Sequence, residues 1–193
     1  MALSAVGFAV ASVPPYLSGD AADAPLPLNP DVALHYLSLA VHALPGGLAL
    51  ALGPLQFVGR LRARRPKLHR VVGRVYMISV VIASIAAAVN AAITISGFAV
   101  QVAFFILVAA WLYTVAMAYR CIRRGEARLH RIWMIRNYAL TFAAVTLRVY
   151  LLLGLQLSPS LGFEAIYTSA VWASILGNVL VAEYIVVQRV PAR

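Results

Sequence analysis

Five apolar stretches, at about 33–58, 70–95, 100–122, 132–155 and 164–188, follow one another with only short connections between them. Each is long enough to cross a bilayer, because a spanning helix needs roughly 20 predominantly apolar residues. In lipid the backbone must satisfy its own hydrogen bonds, and a single segment can do so only as a helix. The chain is therefore expected to be all-α, a polytopic membrane helix bundle forming a single transmembrane domain over residues 1–193. Its 63% apolar and 11% charged residues would be out of place in a water-soluble domain. A sixth stretch, residues 1–17, is short and ends near Pro14-Pro15. It reads as a short first span or a signal-like segment. About six transmembrane helices are expected.

Charge sets the expected orientation. Fifteen of the sixteen basic residues lie in two connections and the tail: Arg60, Arg62, Arg64, Arg65, Lys67, Arg70 and Arg74; Arg120, Arg123, Arg124, Arg128, Arg131 and Arg136; then Arg189 and Arg193. The other connections carry Asp20, Asp23, Asp31 and Glu164 without a Lys or Arg. The positive-inside rule places the basic connections in the cytoplasm, and six spans place both termini there. The expected location is a bacterial inner membrane. The net charge of +10 is thus explained by topology rather than by nucleic acid, whose recognition would need a soluble basic surface. With Cys121 as the only cysteine, an intrachain disulfide and a thiolate zinc site are excluded.

Leu68-His69-Arg70 recurs as Leu129-His130-Arg131, each time after a basic connection and at the start of an apolar span, with a further arginine beyond it, Arg74 or Arg136. The recurrence suggests two related hairpins, 33–95 and 100–155, as a parallel internal repeat followed by a last span at 164–188.

Two blocks of residues carry a family resemblance. The first runs from His42 through Gly53-Pro54-Leu55-Gln56-Phe57 to Arg65-Pro66-Lys67-Leu68-His69-Arg70-Val71-Val72-Gly73-Arg74-Val75-Tyr76. The second comprises His130-Arg131-Ile132-Trp133-Met134-Ile135-Arg136-Asn137-Tyr138-Ala139-Leu140-Thr141 and Thr146-Leu147-Arg148, with Trp172, Asn178 and Glu183 further on. With these residues the chain resembles the bacterial integral-membrane family known as domain of unknown function 2306. The resemblance implies a membrane protein and no particular activity.

The residues themselves leave three readings open. In the first, His69 and His130 ligate the iron of a b-type haem, with Arg70, Arg74, Arg131 and Arg136 around its propionates, and His42 and Arg148 serve an electron or quinone site. The chain would then be a small membrane redox carrier. In the second, it binds or transports an anionic lipid or small anionic solute. Arg148 is the key residue there, because a charge within the bilayer is costly and usually functional. His42, Asn90 and Asn178 would complete its pocket, and the basic ends would meet anionic headgroups. In the third, the protein is a ligand-free structural or sensor subunit, its charges are topogenic and its histidines bind loop carbonyls. Glu183 is expected in a structural ion pair with Arg74 or Arg136. No nucleotide-hydrolase, zinc-protease or serine-hydrolase motif is present, and no catalytic residue can be named.

Overall fold

In a computed structural model, residues 2–23, 28–158 and 160–189 are described. The α-helices are α1 (Ala2–Ser12), α2 (His35–Gln56), α3 (Gly59–Arg64), α4 (Pro66–Ile93), α5 (Phe98–Arg123), α6 (Ala127–Leu157) and α7 (Phe163–Arg189). Two 3-10 turns, Pro14–Tyr16 and Ala21–Asp23, separate α1 from α2. No strand occurs among the described residues. Five helices, α2, α4, α5, α6 and α7, are long and apolar enough to cross a membrane. Arg193 lies outside the described residues.

The chain divides into two compact units, Met1–Ile95 and Ser96–Arg193. In the first, α2 and α4 form the main pair, with α1 on α2 and α3 on α4. Tyr16 packs with Leu39 and Ala40, while Ala9 and Val13 lie against Gly47. The contact points thus run in opposite directions along the two helices, so the N-terminal segment lies antiparallel to α2. The apolar helical stretch Leu3–Tyr16 is about 20 Å long at 1.5 Å per residue, short of a hydrocarbon core of about 30 Å. Pro14 and Pro15 remove two backbone donors, and the α-helix ends at Ser12 before them. The expected six spans are therefore five full-length helices and one short segment.

In the second unit α6 packs on both α5 and α7, with α5 also touching α7. Val100, Ala103, Tyr167, Val171 and Ile175 form a buried apolar cluster, with Leu147, Leu151 and Trp172 packed around it. The turn between α5 and α6 is tight because α5 ends in a Schellman motif. Gly125 has φ 77°, its N–H bonds to the Ile122 carbonyl, and the Glu126 N–H bonds to that of Cys121. A residue with a Cβ would be strained at Gly125, and without that turn α6 could not fold back at once along α5.

Candidate functional site

The Schellman turn starts α6 at Ala127 and puts His130 beside the last turns of α5. The His130 Nδ1 is 2.8 Å from the Ala118 carbonyl oxygen. A carbonyl only accepts, so Nδ1 carries the proton and donates, leaving the lone pair on Nε2. His42 is held in the same way. A third of the way along α2, its Nδ1 donates to the Ala83 carbonyl of α4 at 2.9 Å. His69, in the first turns of α4, is half-buried, whereas Arg70, Arg74 and Arg131 are exposed. His69 and His130 belong to different units.

Asn90 also lies on the α2–α4 pair. Its Nδ2 donates to the Ser38 carbonyl at 3.2 Å, and its Oδ1 accepts from the Ser38 hydroxyl. Toward the same end, Asn29 Nδ2 donates to the Ile93 carbonyl and its backbone N–H donates to His35 Nδ1. These side chains stitch α2 and its approach to α4 at successive turns, with Gly46 and Ala83 letting the backbones come close.

In the second unit Asn178 of α7 donates from Nδ2 to the Ala139 carbonyl and the Thr146 hydroxyl of α6, both at 3.0 Å. Arg136 and Glu183 form a two-point ion pair, Nε to Oε1 at 2.6 Å and an NH2 nitrogen to Oε2 at 2.8 Å. The Arg136 guanidinium also lies 4.7 Å from the centre of the Trp133 ring, and Trp133 meets Tyr113 edge-on. Aromatic faces, a fork and a carboxylate hold α5, α6 and α7 together where the apolar spans meet the basic connection.

Arg148 stands apart. It lies in the half of α6 distant from that connection, half-buried. Its neighbours Leu147 and Leu151 pack on the apolar cluster. From Arg148 to the end of α6 at Leu157 is about 14 Å of helix, in which Gln156 is the one residue whose side chain is not apolar or aromatic. Arg148 makes no hydrogen bond or ion pair with any described residue. Of the four residues grouped from sequence, His42 and Asn90 belong to the first unit, and Arg148 and Asn178 to the second. Three are engaged in helix pairing.

The sequence reading passed over a buried polar network. Trp111 Nε1 donates to Thr141 Oγ1 at 2.9 Å, and Thr141 donates to the Asn137 carbonyl. Asn137, fully buried, donates to the Trp111 carbonyl and to Thr114 Oγ1. Asn137 and Thr141 stand one turn apart on α6, and that i, i+4 polar pair within an apolar span was the available signal. Among the described residues no group of three or more His, Cys, Asp or Glu side chains could hold a metal ion.

No curated protein and no solved structure matches the chain. The pattern of one family does, over residues 39–186, the family described as predicted membrane protein, domain of unknown function 2306. That match takes in α4, α5 and α6, most of α2 and α7, and both histidine-arginine blocks, and the chain belongs to this family.

Proposed function

We propose that the protein binds the anionic group of a lipid or small solute through Arg148, within the membrane-embedded part of its second unit. The observation that carries this reading is a guanidinium two turns and more inside an apolar helix without a described counter-ion. Even on the lenient insertion scale a charge there costs about 2.5–3.5 kcal/mol, and an anionic ligand would offset it. Chain orientation by the positive-inside rule would put Arg148 toward the outer leaflet of a bacterial inner membrane. The exposed arginines of the basic connections would meet anionic headgroups on the cytoplasmic side. The test uses full-length protein in neutral detergent, with dodecyl phosphate and oleate as probes. A concentration-dependent rise in thermal stability is expected, weakened by salt, lost in Arg148→Ala and partly kept in Arg148→Lys. A wild-type protein unmoved by either probe would sink the reading.

A second reading, haem b held by His69 and His130, is favoured by one observation. The His130 Nδ1–H is committed to the Ala118 carbonyl, and this is the orientation that presents Nε2 to an iron. The arginines beside the two histidines could pair with propionates, and bound haem would supply one-electron transfer. Protein purified from haem-replete cells should then show a Soret band, with sharp bands after dithionite reduction. These should vanish in His69→Ala or His130→Ala. A colourless, stable preparation would instead leave the His130 hydrogen bond as a helix-pairing contact.

A further inference from the structure

In the first unit the two halves of the family block meet. Gln56, the last residue of α2, is 9% exposed, and its side chain lies against Gly73 of α4. A Cβ on Gly73 would come within 3.0 Å of Gln56 Oε1 and 3.7 Å of Cδ. Glycine is thus what leaves room for the amide. Gln56 Nε2 is buried and has no hydrogen-bond partner among the described residues. A buried donor left unpaired is expensive, more so at the edge of a bilayer where the backbone is already spoken for. His69, Gly73, Tyr76 and Val80 recur on α4 at spacings of four and three, which places them on one face. Tyr76 and Val80 are fully buried. The neighbouring positions Arg70 and Arg74, one turn apart, are exposed. A neutral donor with no acceptor among the described residues therefore lies against Gly73, at the end of the α2–α4 pair where the chain is most basic and where Arg70 and Arg74 stand at exposed positions on the adjoining face of α4.

The geometry points to a recessed subsite in which Gln56 Nε2 donates to an oxygen of a phosphate group, with Arg70 and Arg74 supplying the charge. The amide selects an acceptor, and the arginines make that acceptor anionic. Gly73 keeps the amide in place. A lipid headgroup and free phosphate offer the same oxygen. This subsite lies in the first unit and does not depend on the role proposed for Arg148.

The test uses full-length protein carrying Arg148→Ala, so that the other site does not report. It is reconstituted in phosphatidylcholine nanodiscs with and without phosphatidic acid, and also titrated with inorganic phosphate. Stabilisation by phosphatidic acid alone identifies a headgroup site, and stabilisation by both probes a site for the free anion as well. In either case Gln56→Leu should weaken the apparent affinity about tenfold, as expected for one hydrogen bond to a charged group. Gln56→Glu should weaken it further by repulsion. Gly73→Ala, which displaces the amide but keeps its chemistry, should give an intermediate loss and serves if Gln56→Leu does not fold. The inference is overturned if neither probe stabilises the parent protein. It is equally overturned if Gln56→Leu and Gly73→Ala bind as tightly as the parent, for the donor would then be met by a trapped water.

Discussion

Asn137 shows how a single side chain can organise a helix pair in lipid. Its two amide hydrogens reach Trp111 and Thr114 of α5, while its own carbonyl takes the Thr141 hydroxyl. Asn137→Ala should therefore cost about 2–3 kcal/mol, from a cavity and the loss of two buried hydrogen bonds across the helix pair. Trp111→Phe breaks one bond and leaves Thr141 still held by the Asn137 carbonyl. Its cost should stay near the average of about 0.6 kcal/mol for a membrane hydrogen bond. Unfolding of the purified protein in mixed micelles would compare the two, and equal costs would argue against a network centred on Asn137. Arg148 calls for the opposite sign. If no protein group compensates its charge, Arg148→Leu should stabilise the ligand-free protein by about 1–3 kcal/mol. Destabilisation in the same assay would reveal a partner within the protein. Both side chains are visible in the sequence as polar residues in apolar spans. What distinguishes them is whether a partner stands across the interface, and residue spacing along one helix carries no such information.

At the scale of elements, chain boundaries were less legible than chain identity. The spans expected at 70–95 and 132–155 are helices from Pro66 and from Ala127. Exclusion from hydrocarbon makes the basic residues read as connections, but arginine is a good helix former and the helix simply runs on into the interface. His69 and His130 consequently lie in the first turn of α4 and of α6, already helical before the apolar part of each span begins. Close approach was equally hard to foresee. A Cβ at Gly47 would lie 2.5 Å from Val13 Cγ2, and one at Gly154 would lie 2.5 Å from Ile166 Cγ2. Gly47→Ala should cost about 1–3 kcal/mol by overpacking. Most of that should be recovered by adding Val13→Ala, which removes the methyl in the way. Thermal unfolding of the two single variants and the double variant would measure the recovery. Without recovery, α1 would not be seated on Gly47. The Arg136–Glu183 pair yields to the same cycle. Its side chains are 28% and 43% exposed, so a coupling of about 1 kcal/mol is expected, the upper end for a screened pair. Zero coupling would mean that α7 is held to α6 by Asn178 and apolar contacts alone.

For the whole chain, the positive-inside rule makes a claim that labelling in intact cells can check. With Cys121 replaced by Ala, single cysteines are placed at Ser18 and Ser160 in the non-basic connections, and at Ala63 and Ala127 beside the basic ones. A membrane-impermeant maleimide should reach positions 18 and 160 from outside, and positions 63 and 127 only after lysis. The reverse pattern would place both basic connections outside and would move Arg148 toward the cytoplasm. Ser4→Cys then separates a short segment from a complete span. The stretch from Leu3 to Tyr16 lies antiparallel to α2, with Tyr16 near Leu39 at the non-basic end of that helix. Being about 10 Å shorter than the hydrocarbon core, it would leave position 4 inside the lipid before the opposite interface is reached. Ser4→Cys should therefore resist the charged reagent in intact and in lysed cells alike, yet react with a lipid-soluble maleimide. Ready labelling after lysis would instead mean that the bilayer thins or the segment shifts to bring position 4 into water, completing a sixth crossing after all.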